Sequence, residues 1–159
     1  NTIDEQLTRY LISLSGEALS QKESEVLTNI LDSSRDLERI GDHAEALINL
    51  NDYLQRKNVQ FSEAALEELA EIYLETSEFV KDALESVENN DLEKAQALIE
   101  RHEDINNMER VLRKTHIKRL NNGECSTQAG VNFIDIISHY TRVSDHAMNL
   151  AEKVLAEQI

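Results

Sequence analysis

The sequence predicts an all-α protein, an elongated bundle of five helices. Proline is absent and glycine occurs only 4 times in 159 residues, so helix breakers are rare and turn chemistry is sparse. Hydrophobic residues make up 40% of the chain but aromatics only 4%, which leaves Leu, Ile, Val and Ala to fill the core, as in long helices packed side by side. Apolar residues also recur at helical spacing, as in Leu37, Ile40, Ala44 and Leu47 and again in Tyr140, Val143, Ala147, Leu150 and Val154. Both stripes are expected to be core.

Caps and stops set the boundaries. Gly16 follows the apolar run Tyr10, Leu11, Ile12 and Leu14 and is expected to end the first helix. Ser20 with Glu23 three residues later has the spacing of a capping box, so a second helix starts near Gln21 and runs to about Lys57, with Asn58 as the next stop. Phe61, Ser62 and Leu66 fit a hydrophobic staple opening a third helix that ends near Glu88. Asn90 with Glu93 is the expected start of a fourth, which stops at Asn121 to Gly123. Ser126 or Thr127 caps the fifth. At about 1.5 Å per residue the second and fifth helices would each reach roughly 50 Å.

The segment LERIGDHAEAL, Leu37 to Leu47, nearly recurs as YTRVSDHAMNL, Tyr140 to Leu150, at a constant offset of 103. Arg39 matches Arg142, Asp42 matches Asp145, His43 matches His146 and Ala44 matches Ala147, which implies an internal duplication of a helical unit. Upstream, NTIDEQL at Asn1 to Leu7 lies more weakly on NNMERVL at Asn106 to Leu112, an offset of 105. The second repeat then has a helix, Ser62 to Glu88, with no counterpart ahead of residue 1.

With LERIGDHA, YTRVSDHA and LIERHEDINNME at Leu98 to Glu109, the chain resembles the PhoU-like family. The resemblance implies tandem three-helix bundles, with 1–58 an incomplete first repeat lacking its first helix and 62–159 a complete second one. It implies a regulatory domain linked to phosphate transport, with a membrane phosphate transporter as partner, in the same chain or separate. The acidic character and the Asp-His pairs look most like the cytosolic PhoU-like domains of sodium/phosphate cotransporter proteins, which places the chain in the cytoplasm at the inner face of the cell membrane. Some relatives bind metal through a Glu/Asp-x-x-x-Asp motif, matched here by Glu38 and Asp42. In the second repeat Thr141 replaces the first acid, so Asp145 carries over alone, with His102 at the partner position on the preceding helix and Asn106 four residues on.

The residues themselves leave alternatives open. Glu38 and Asp42 share a helix face, with Glu45 extending it; their oxygens suit magnesium or calcium, and His43 widens the choice to iron or zinc. An ordinary solvated acidic face has the same pattern. Arg39 and Arg142 read as pairing with acids on a neighbouring helix, or more sharply as phosphate ligands. His43 and His146 read as orienting a carboxylate, as ligands, or as hydrogen-bonded packing residues. His139 lies seven before His146 on one face. His116 lies inside RKTHIKR at Arg113 to Arg119, the only basic cluster, which reads as facing an acidic partner or the acidic surface of another helix, its ordinary meaning being a solvated face.

Charge and composition exclude other classes. Acidic residues outnumber basic ones 31 to 16, and the resulting net charge of −15 repels nucleic-acid backbones and anionic lipid. The lone Cys125 forms no intrachain disulfide and favours a reducing compartment. No window approaches the roughly 20 apolar residues of a membrane span and no signal peptide opens the chain. No histidine has Glu three residues before it, as a ferritin-like di-iron site requires, and there is no phosphate-binding glycine loop or His-Glu-x-x-His. The expectation is a non-enzymatic regulator; the alternative is a helical scaffold for protein interaction or homo-oligomerisation without metal.

Overall fold

The computed structural model describes residues 2–15 and 19–156. The described residues form α1 (Thr2–Ser15), α2 (Gln21–Arg56), α3 (Glu63–Asn89), α4 (Leu92–Asn121) and α5 (Thr127–Leu155), with no strand. The expected stop at Gly16 lies outside the described residues. With 36 and 29 residues, α2 and α5 are about 54 and 44 Å long.

The starts follow side-chain chemistry. Ser20 and Glu23 close a reciprocal capping box on α2, each satisfying an orphan backbone N–H of the other. Ser62 and Ser126 accept from the amides of Ala65 and Ala129 and cap α3 and α5. The fourth start differs from expectation by one residue. Asp91 is the cap, accepting from the Lys94 amide, whereas Asn90 sits in the left-handed region at φ 49° and terminates α3. Gly123, at φ 71°, ends the turn after α4, a conformation that costs glycine little.

Helices α3, α4 and α5 pack against one another as a closed three-helix bundle. Its core runs in two clusters, one around Phe79, Ala83, Leu98, Ile105, Ala147 and Val154, the other around Ile72, Leu112, Phe133 and Ile137. Most of these side chains are fully buried, and each large one contributes about 1.5–3 kcal/mol by leaving water. The other half is open. Among the described residues α1 packs only on α2, and α2 packs only on α1 and α5.

This asymmetry corrects the expectation that both apolar stripes are core. On α5, Val143, Ala147, Leu150 and Val154 are buried, with Tyr140 half-buried. On α2, Leu37 is 47% exposed and Ala44 is exposed; Ile40 reaches the core cluster only at its edge. The spacing is the same, but two described helices bound α2 where three bound α5.

Candidate functional site at the helix junction

Where α2 crosses α5, the contact is polar. Asp36, buried on α2, accepts from His146 Nδ1 at 3.0 Å and Asn149 Nδ2 at 2.9 Å on one oxygen, and from Lys153 Nζ at 2.9 Å on the other. Burial pushes the Asp36 carboxyl up, but the three donors outweigh it and hold it below the usual carboxylate range. One helical face of α5 supplies all three, at Asn149 and Lys153 three and seven residues beyond His146.

Two turns along α2, His43 points its Nδ1 at His139 Nδ1 across 3.0 Å, with ring centroids 5.2 Å apart. The His146 ring stacks on His43 at 5.8 Å and 26°. Burial, then the nearby His139, His146 and Arg142, lower the His43 pKa against a smaller opposing pull from Asp42. In the neutral pair one imidazole N–H donates and the other nitrogen accepts.

The two contacts are one contact used twice. The offset of 103 carries His43 onto His146 and Asp36 onto His139, so the repeat relation exchanges the pair His146 with Asp36 for the pair His43 with His139. The two Asp-His motifs belong to different repeats, yet their histidines stack on each other at the junction.

The predicted ligands distribute elsewhere. Arg39 pairs with Asp42 at 3.2 Å and Arg142 with Asp145 at 3.4 Å, each within its own helix at i+3 and with the arginine mostly exposed. The expected pairing to a neighbouring helix is therefore corrected: a span of three residues on one face is shorter than the gap between helices. His102 Nε2 on α4 reaches Asp145 Oδ1 at 3.0 Å, with Asn106 Nδ2 3.4 Å from the same nitrogen. That bond, opposed by partial burial, lowers the Asp145 pKa. Glu38 and Asp42 keep their common face on α2, both half-buried. Among the described residues no three His, Cys, Asp or Glu side chains converge to hold an ion. Of the four residues expected to bind metal, His102 and Asp145 meet across helices.

The basic cluster divides: Lys114 and Lys118 are exposed, whereas Arg119 meets the acidic surface of another helix at Glu68 of α3. His116 is 1% exposed and stacks on Phe133 at 4.0 Å, Arg113 bonds Glu109 and Ser138, and Arg119 grips Glu68 with both terminal nitrogens. Burial lowers the His116 pKa, which leaves the ring neutral against its aromatic neighbour. Asp36 and Lys153 were not foreseen. The available signal was their spacing, Asp36 seven residues before His43 and Lys153 seven beyond His146.

The paired repeats and the closed bundle agree with one family. Residues 1–50 and 66–154 match the PhoU domain. The chain belongs to the PhoU domain family. It is 31% identical over 134 residues to the phosphate-specific transport system accessory protein PhoU homolog 1 of Thermotoga maritima, covering 84% of this chain and 57% of that one. The chain thus spans little more than half the length of this relative. Two solved structures share the fold. The phosphate transport system regulatory protein PhoU of Streptococcus pneumoniae superposes with a TM-score of 0.76 at 23% identity, over 97% of this chain and 69% of that one. PhoU of Pseudomonas aeruginosa does so with a TM-score of 0.80 at 20% identity, over 99% and 79%.

Proposed function

We propose that the chain is a regulatory domain of phosphate transport that docks on a membrane phosphate transporter, carried in the same polypeptide or a separate one. The match to the PhoU domain across both repeats is the observation that carries this reading. The name of the Thermotoga maritima relative, an accessory protein of a phosphate-specific transport system, points the same way. Among the described residues no helix is long and apolar enough to cross a membrane; in this reading the segment acts by contact with a partner. Its place in this reading is the cytoplasmic face of the cell membrane, as the cytosolic part of a sodium/phosphate cotransporter protein.

The junction supplies the mechanism. Among the described residues the α1–α2 half meets the closed bundle only through α2 on α5. A partner that grips both halves shifts their relative packing by its differential affinity for the two arrangements.

Glu38 and Asp42 fit one class of ion. Two carboxylates four residues apart on one helix suit magnesium, which takes one or two carboxylates and keeps several waters, better than iron or zinc, which need more protein donors. In the second repeat Asp145 is engaged by His102 and faces Thr141 rather than a second acid, so the fit there is poor. An ion at Glu38 and Asp42 would supply positive charge on the face of α2.

Deleting the gene and measuring radiolabelled phosphate uptake in phosphate-replete cells tests the regulatory reading. Uptake should change and return to normal with the restored wild-type chain; uptake identical with and without the protein overturns it. For the ion, elemental analysis should find metal in the purified wild type and a loss in the double variant Glu38→Ala/Asp42→Ala. Stoichiometric metal in neither protein removes the metal reading.

The scaffold reading has its own observation. Leu14, Leu19, Val26, Leu27 and Ile30 line an apolar groove between α1 and α2. A concentration-dependent dimer in light scattering, with phosphate uptake unaffected by deletion, favours that reading instead.

A further inference from the structure

The nitrogen-to-nitrogen distance between His43 and His139 matches the spacing of two donors to one ion. Metal–imidazole bonds of about 2.0–2.1 Å, meeting at the angles of a tetragonal or tetrahedral centre, hold their nitrogens roughly 2.9–3.4 Å apart. The two Nδ1 atoms stand 3.0 Å apart and face each other from separate helices. Both side chains are half-buried and reachable from solvent. The carboxylate of Asp36 is taken up by His146, Asn149 and Lys153 and does not compete for either ring.

We propose that His43 and His139 form a two-nitrogen site for a late divalent transition ion, Cu²⁺, Ni²⁺ or Zn²⁺, bridging the two repeats at the α2–α5 crossing. Imidazole nitrogen suits these ions, with copper bound most tightly. Because no third His, Cys, Asp or Glu converges on the point among the described residues, water fills the remaining positions and the ion exchanges readily. Arg142, placed to act on His43, also opposes a dication and keeps the affinity modest, while Asp42 favours it. The site differs in place and chemistry from the oxygen pair Glu38 and Asp42. Each ligand comes from a different repeat, so occupancy ties α2 to α5 and adds to the stability of the folded junction by mass action.

Titration calorimetry with Ni²⁺ in a phosphate-free, chelator-free buffer tests this on the whole chain. The wild type should bind one ion, and His43→Gln and His139→Gln should each weaken binding by about tenfold or more. The variant Glu38→Gln, which breaks the carboxylate pair but keeps the Asp42 charge beside His43, should bind Ni²⁺ within about twofold of wild type, which separates this site from the carboxylate one. Circular dichroism identifies the folded variants. As an independent readout, electron paramagnetic resonance of the Cu²⁺ complex should show two coupled nitrogens in the wild type and one in each histidine variant. Absence of saturable Ni²⁺ binding to the folded wild type, or binding unchanged in both histidine variants, overturns the proposal. Loss of binding only in the Glu38 variant does so as well.

Discussion

The same helix crossing is built twice with different chemistry. At one end the His146 imidazole meets a carboxylate that two further donors hold ionised; at the equivalent point the His43 imidazole meets another imidazole. Backbone geometry is therefore shared while electrostatics are not. The Asp36 end is a neutralised ionic cluster that tolerates acid well into the carboxylate range. The His139 end has no counter-charge of that kind, and two imidazolium ions at that distance would repel.

Removing the acid breaks the comparison most severely. Asp36→Ala leaves Lys153 and His146 half-buried without their partner, and should cost roughly 2–3 kcal/mol in urea denaturation, below the 3–5 kcal/mol of a fully buried pair. Converting the weaker end into a copy of the stronger one sharpens it. His139→Asp should pair with His43 and stabilise the fold near pH 6 by about 1 kcal/mol, with a gain that fades as pH rises and His43 loses its proton. A destabilisation by His139→Asp at pH 6 would show that the two ends are not interchangeable.

Acid should separate the ends by pH. His43 has a folded pKa below its ordinary 6.5, so the unfolded chain binds more protons, and stability falls as pH drops through about 6.5 toward the folded value. Asp36 also has a lowered pKa, so its contribution is complete above 3.8 and is lost as pH falls through the lower folded value. Thermal melts of the wild type should therefore decline in two steps. His43→Gln should reduce the upper one, leaving the share carried by buried His116, and Asp36→Asn should reduce the lower one, leaving the shares of Asp82 and Asp145. The smallest effect lies outside the junction. Arg39→Ala removes an exposed pair within one helix and should change stability by less than about 0.5 kcal/mol in the same denaturation assay.

How much of this the sequence carried depended on whether the determining interaction was local. Helix starts rest on Ser, Asp and Glu within three residues of a backbone amide, so Ser20, Ser62 and Ser126 were readable directly. Asn90 was misplaced because the same residue type serves at either end of a helix, and only the sign of φ distinguishes them. The family lay in LERIGDHA and YTRVSDHA, short runs whose repetition at one offset is a one-dimensional fact. Burial on α2 was not legible, because identical stripes are covered or bare according to which helices pack on them. Asp36 escaped for a related reason: its partners are about 110 residues away, and its own neighbours say nothing of them. His116 was read from the charges beside it in the chain, while its fate was decided by Phe133 on the next helix.

The position of α5 also orders the assembly of the molecule in time. Helices α3, α4 and α5 are consecutive and joined by short turns, so their association closes small loops. Docking α2 on α5 joins residues about a hundred positions apart, and most of the residues that close that loop belong to the bundle itself. The bundle is thus expected to form first and to present a ready surface to an arriving helix. By the same logic α2, with α1 that packs only on it, leaves before the bundle opens, and the amides of both should exchange with deuterium ahead of those in the bundle core.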